Sequence, residues 1–200
     1  MPTAAQTWVT PVALEGTRVR LEPLADRHFE DLARVAQDAE IFRWITNQPM
    51  DEPRFRAWFE AAQSAAAAGT EIPFATVDAA TDRAIGSTRF MTITPEHRRV
   101  EIGWTWVGAD HQRTGANREA KLLQLTHAFE TLDAERVEFK THARNEKSRG
   151  ALLGIGATFE GVLRHHMILA DGSNRDSAYY SVLAVEWPGV KARLEAMLAR

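Results

Sequence analysis

The stretch Glu101-Ile-Gly-Trp-Thr-Trp-Val-Gly-Ala-Asp-His-Gln-Arg-Thr-Gly-Ala-Asn-Arg-Glu-Ala-Lys121 decides how this chain folds. Up to Val107 it reads as a strand, then as a loop, and from Ala116 as a helix reaching about Leu132. Leu122, Leu125, Phe129 and Leu132 share one face of that helix, so it packs on a sheet. In the run that follows, 136–143, Val137, Phe139 and Thr141 alternate against Arg136, Glu138 and Lys140. That second strand lies parallel to the first, because a helical crossover between them is what a parallel pair requires. Gln112, Arg113, Thr114, Gly115, Ala116 and Asn117 fall where helix N–H groups have no intrahelical partner. Those donors, with the helix dipole, form an anion site that suits a phosphate. Gly115 lets the backbone approach closely, and Arg113 and Arg118 add positive charge. An ordinary helix start capped by Thr114 or Asn117 accounts for the same residues.

Working outward, Val19 and Leu21 alternate with charged residues in a short strand. Asp26 suits the N-cap of a helix carrying Phe29, Leu32 and Val35. A second helix carries Phe55, Trp58, Phe59, Ala62 and Ala66 on one stripe and ends at Gly69. Residues 72–77, 84–93 and 99–107 read as three strands of an antiparallel meander. After the parallel strand come a short helix from near Asn145, strands over 159–169 and 177–185 joined at Asp171-Gly172, and a last helix entered at Pro188. The predicted order is β-α-α-β-β-β-α-β-α-β-β-α. It is an α+β chain with a central mixed sheet of about seven strands, antiparallel arms and one parallel pair. Residues 1–200 are expected to form a single domain, with 1–15 a loosely held arm.

Composition narrows the chemistry. The 200 residues carry 24 Lys and Arg against 27 Asp and Glu, a formal charge of −3, so no global positive field recruits nucleic acid or an anionic membrane. The chain has no cysteine, which excludes disulfides, thiolate metal sites and any intermediate carried on sulfur. No window approaches the ~20 apolar residues of a membrane span, and the N-terminus lacks the pattern of a secretory signal, so a cytoplasmic protein is expected. His165 and His166 point to opposite faces of a strand, no histidine pair has ligand spacing, and no metal is expected. Tyr179 and Tyr180 are likewise adjacent, so at most one of them lines a site.

Gln112-x-x-Gly115-x-Asn117 resembles the pyrophosphate-binding loop of the GNAT acetyltransferases, departing from it where Asn117 replaces a small residue. Downstream, Asn145-Glu-Lys-Ser148, then Leu152 to Ala157 and Phe159-Glu-Gly161, are similar to that family's Asn-x-x-Ser helix, Leu-Gly turn and Glu-Gly strand start. The likeness spans about residues 17–185 and is nearest the RimJ/RimL-type branch, which acetylates protein N-termini. It implies the GNAT fold, with the parallel pair splayed around acetyl-CoA as co-substrate, and direct transfer of acetyl to a primary amine.

Such transfer needs a deprotonated amine, stabilisation of charge on the carbonyl oxygen and a proton for the leaving thiolate. Glu101, in the apolar setting Ile102-Gly-Trp-Thr-Trp, is the first candidate for the base, since desolvation raises a carboxyl pKa. It is equally explained as a surface strand glutamate paired with Arg98 or Arg99. The resemblance implies that the backbone N–H of Trp106 or Val107 serves the thioester oxygen. It implies further that Asn145 bonds the pantetheine and that Ser148 offers its hydroxyl toward the sulfur. Helix capping, with Asn145 as N-cap and Ser148 at N3, explains the last two without a ligand. Trp44, Phe55, Trp58 and Trp104 could wall an acceptor pocket, although such spacing is usually core. The acceptor is a protein N-terminus or a small amine such as an antibiotic or polyamine. A small cation predicts an acidic pocket, for which Asp38, Glu40, Asp51 and Glu52 are placed. A non-catalytic sensor of CoA on the same fold is the rival, motivated by Asn117. A homodimer paired through strand edges or the C-terminal hairpin is expected.

Overall fold

The computed structural model describes residues 8–45, 51–169 and 171–199. Along the chain run β1 (Leu14–Glu15), β2 (Val19–Pro23), α1 (Phe29–Val35), α2 (Ala39–Phe42), α3 (Glu52–Ala68), β3 (Ile72–Asp78), β4 (Ala84–Thr94) and β5 (Arg99–Val107). They are followed by α4 (Ala116–Thr126), β6 (Arg136–His142), α5 (Glu146–Ile155), β7 (Thr158–Ile168), β8 (Asn174–Leu183) and α6 (Trp187–Leu198). One mixed sheet of eight strands has the order β1-β2-β3-β4-β5-β6-β8-β7. Every pairing is antiparallel except β5 with β6.

The expected architecture is therefore present, with two elements more than the alternation disclosed. The additional strand is β1, two residues paired to β2. The additional helix is the single turn α2, whose N-cap Asp38 accepts from the Glu40 N–H at 3.0 Å. Elements this short carry no period to read. Residues 8–15 are docked and not a loose arm: Trp8 Nε1 donates to Leu132 O at 2.9 Å, and Val9 is buried in the core. The part of that arm over 1–7 lies outside the described residues.

Two apolar layers enclose the sheet. On one face α4 and α6 cover Val100, Ile102, Val137, Phe139, Ala178 and Tyr180. On the other, α1 to α3 lay Leu32, Phe42, Phe55, Trp58 and Phe59 over Ala75, Val77 and Trp106. The helix α3 forms where expected: Asp51 accepts from the Arg54 N–H at 2.9 Å, and Gly69 ends it in the left-handed region at φ 68°. Helix α4 passes into a π-helical turn, His127–Thr131, so the helical run covers nearly all of the predicted span.

The register of β4 against β5 breaks twice. Ser87 pairs Trp106 and Arg89 pairs Gly103, so β5 carries one extra residue; Trp104 there has φ 49°. Met91 pairs Glu101 and Thr94 pairs Arg99, so β4 carries one extra residue around Thr92, at φ 50°. Bulges of this kind re-aim side chains and sharpen the local twist. Both flank the place where β5 parts from β6.

Candidate active site

The parallel pairing of β5 with β6 extends over Arg99–Arg136, Val100–Val137 and Glu101–Glu138. Beyond Glu101, β5 runs on to Val107 and β6 to His142 without pairing each other, so a fork opens between them. Backbone groups of β5 that would bond β6 face this gap instead. Gly108 N–H donates to Ile85 O on the β4 side at 2.8 Å. Alternation along an extended strand therefore turns the Trp106 N–H to β4 and the Val107 N–H to the gap. Consistent with this, Val107 O accepts from Gln112 Nε2 at 3.1 Å. Of the two expected donors, Val107 is the one that faces the fork. Trp106 is buried, its ring 5.3 Å from that of Phe42. Gly86, opposite them, has no room for a side chain: a Cβ there would lie 2.2 Å from Trp106 O.

At the mouth of the fork, α4 begins with Gly115 as its N-cap, in the left-handed region at φ 98°, and no side chain caps the helix. Thr114 Oγ1 donates to His111 O at 2.8 Å and stands 3.4 Å from the Ala116 N–H, a marginal contact. Neither Thr114 nor Asn117 therefore closes the turn as an N-cap. Ala116 is buried, and Arg113, Thr114, Asn117 and Arg118 are exposed around the helix start. Exposure of Asn117 keeps its amide side chain on the outer surface of the helix. Gln112 is fixed from both sides, by Val107 O and by Lys147 Nζ from α5, which donates to Gln112 Oε1. The arrangement is an uncapped helix N-terminus edged with cations and suited to phosphate oxygens.

Glu101 is 3% exposed at the apex of the fork, so it is no surface glutamate. Arg98 pairs with Asp133 and Glu135, and Arg99 with Glu138 at 3.2 Å, which leaves Glu101 to other partners. Its Oε2 accepts from Lys140 Nζ at 3.1 Å and from Thr92 Oγ1 at 3.1 Å. The β4 bulge is what brings the Thr92 hydroxyl there. The carboxylate is thus desolvated but not isolated, with an ammonium beside it. On the same face stand Tyr179, paired in register with Lys140, and His166, whose Nδ1 lies 3.1 Å from Ser177 Oγ. Burial, with the charges of Lys140 and Arg175, holds the His166 pKa below its ordinary value, and burial, with Glu101 and Glu138, raises that of Tyr179. Tyr180 faces the core, where its hydroxyl accepts from Arg149 Nε at 3.0 Å.

Asn145 and Ser148 are joined by a cap: the Ser148 N–H donates to Asn145 Oδ1 at 3.1 Å. Both are half-buried at the start of α5, beyond the end of β6. Of the acidic residues expected near a cationic acceptor, Asp51 and Glu52 line a hollow together with Glu30, Phe29 and Phe55, whereas Asp38 and Glu40 do not line it. Asp38 and Asp51 cap helices, while Glu40, Asp51 and Glu52 lie against Arg43, Arg54 and Arg56 on their own helices. Of the aromatic residues, Phe55 and Trp58 are core, Trp104 lies 6.4 Å from Trp58 with Arg89 between them, and Trp44 packs on His142 at 4.8 Å.

Three residues escaped the sequence reading. Glu119 is buried and accepts from the backbone N–H groups of Thr17, Arg18 and Val19 at 3.1, 2.7 and 2.7 Å, riveting α4 to β2. This brings Arg18 within 3.4 Å of where a Gly115 side chain would begin, adding a cation to the anion site. Lys121, two residues further along α4, is buried. None is visible in sequence, because each acts across a long separation and lies in no motif.

Residues 18–158 match the acetyltransferase (GNAT) domain family. The chain belongs to the GNAT acetyltransferases. Among GNAT relatives, the Bacillus subtilis protein named "Putative ribosomal N-acetyltransferase YdaF" is 36% identical over 95 residues, 48% of this chain and 51% of that one. This chain thus spans about half the length of that relative in the matched region. A solved structure from T. thermophilus, described as a putative acetyltransferase, is 42% identical, with 96% of this chain and 99% of that one covered and a TM-score of 0.87. A GCN5-related N-acetyltransferase from Brucella melitensis is 32% identical, covering 95% of this chain and 89% of that one, also at 0.87.

Proposed function

We propose that this GNAT protein transfers the acetyl group of acetyl-CoA directly to a primary amine, with a protein N-terminus as the acceptor class. The observation that carries the reading is the fork beyond Glu101 and Glu138, opening toward the uncapped N-terminus of α4. The residues present fit acetyl-CoA as substrate. Helix N–H groups with Arg18, Arg113 and Arg118 answer its pyrophosphate, and the free edge of β5 answers its pantetheine amides. Gln112, Thr114, Gly115, Ala116 and Asn117 form that cradle, and Asn145 adds an amide donor across the fork.

Each step then has a residue. Glu101 accepts the proton of the incoming ammonium through water, with Lys140 and Thr92 holding its carboxylate in place. The Val107 N–H donates to the thioester oxygen as negative charge develops there. Ser148 relays a proton to the departing thiolate, its hydroxyl regaining the second proton that the nitrogen loses as the amide forms. Without a cysteine to carry acetyl, both substrates are bound together. The name of YdaF and the likeness of Asn145 to Ser148 to RimJ/RimL proteins favour an N-terminal acceptor over a small cation. The exposed edge strand β7, with Phe159, Val162 and Leu163 outward, supports pairing with a second copy. Among the described residues no helix is long and apolar enough to cross a membrane, in keeping with action in the cytoplasm.

Thiol release from acetyl-CoA, measured with N-terminal peptides and small amines, tests the proposal. Release that depends on the amine and is lost in Glu101→Gln supports it. Tight acetyl-CoA binding without turnover on any acceptor would favour the sensor instead.

A further inference from the structure

The side chain of Lys121 enters the sheet from α4 and ends under the β5 bulge. Its Nζ donates to Thr105 Oγ1 at 2.8 Å, to Gln124 Oε1 at 3.3 Å and to Thr88 Oγ1 at 3.4 Å. Thr88 lies on β4 between the register pairs that flank the bulge, with its hydroxyl 2.8 Å from that of Thr105 and 3.1 Å from Gln124 Oε1. Three oxygens thus meet the three donors of an ammonium, and among the described residues none of these partners is a carboxylate. The charged groups of neighbouring elements are occupied elsewhere: Glu119 with β2, Glu130 with Trp187 and Lys191, while His127 faces Phe90. Burial alone pulls the Lys121 pKa down to about 7.

A cation buried without a counter-charge lowers stability, and an apolar residue of similar shape would pack there at less cost. Such a group under the one segment of β5 that lines the fork is placed where developing negative charge would feel it, since the interior screens weakly. We propose that Lys121 is a positioning residue for acetyl transfer, holding the bulge at Trp104 and Thr105 and lending its charge, through Thr105, to the β5 backbone that faces the thioester. This rests on the acetyltransferase reading of the same fork.

The test compares the full-length protein with Lys121→Met, which keeps length and loses charge, and with Thr105→Val, which cuts the link. The ratio of wild-type to Lys121→Met kcat cancels the pH dependence of every step the two proteins share. We expect it to be on the order of tenfold at pH 6 and to fall toward one above pH 8, as the ammonium is lost, with KM for acetyl-CoA little changed. The Met variant should melt higher at pH 6, whereas a lysine serving only the fold would give a lower melting temperature and a pH-independent ratio. Thr105→Val should reproduce the loss, and the double variant should add little to it. A ratio near one at pH 6, or one flat with pH, overturns the proposal. Wild-type turnover tests the acetyltransferase reading separately. A substrate-free measurement tests Lys121 whatever the turnover: the amide signals of 103–106 should titrate near pH 7 in the wild type and stay flat in Lys121→Met. Signals flat in both would overturn the coupling.

Discussion

Glu119→Ala removes a carboxylate that ties the first turns of α4 to the start of β2. Val19 is fully buried, so its N–H loses its acceptor at a cost of about 2 kcal/mol. Thr17 and Arg18 are exposed, and their N–H groups turn to water at about 0.5–1 kcal/mol each. The expected loss is about 3–4 kcal/mol, which for a chain of this size lowers Tm by roughly 6–16 °C. Glu119→Gln, which keeps the shape but sets an amide N–H against backbone donors, should lose about half as much. Urea unfolding with an unchanged m-value, alongside calorimetric melting, measures the effect. The same rivet holds Arg18 beside Gly115, so KM for acetyl-CoA should rise several-fold while kcat changes less. A Glu119→Ala protein melting within about 2 °C of the wild type would refute the assignment of these hydrogen bonds as the link between α4 and β2.

Glu101→Gln should lower kcat by on the order of a hundredfold with a small change in Tm, as measured by thiol release and thermal melting. Gly115→Ala, forced to φ 98°, should destabilise by about 1–2 kcal/mol and raise KM for acetyl-CoA, as read by melting and by titration calorimetry. Burial, reinforced by Arg27, lowers the His28 pKa from 6.5 to about 4. Protons therefore bind the unfolded chain more readily than the folded one. The stability His28 contributes is fully present above pH 6.5 and is lost as pH falls toward 4, by up to about 3 kcal/mol. His28→Gln should flatten that part of a urea stability profile measured from pH 7 to pH 4.5.

Much of the fold was legible because its longer elements carry a clear period. The apolar stripe of α3 from Phe55 to Ala62, the face of α4 and the alternation of β6 each state what they pack against. The glycine loop was legible because few residues tolerate φ near 98°, and a helix start with a glycine cap leaves its N–H groups open. The strand β1, the turn α2 and the docking of Trp8 were not legible, since two to four residues hold no period and a tryptophan does not announce a carbonyl at Leu132.

The sequence by itself determined the α+β order, the parallel pair and the candidates Glu101, Gln112 to Arg118, Asn145 and Ser148. Only the tertiary structure decided their partners. It assigned Glu101 to Lys140 and Thr92 in place of Arg98 or Arg99, turned Val107 and not Trp106 toward the fork, and set Asp38 and Asp51 as helix caps. It also brought Arg18 to Gly115 and buried Lys121 beneath Thr105. The physical reason is common to all of these. Periodicity encodes which face of an element is apolar, whereas a hydrogen-bond partner depends on strand register, and a single bulged residue changes register without leaving a mark in composition or period.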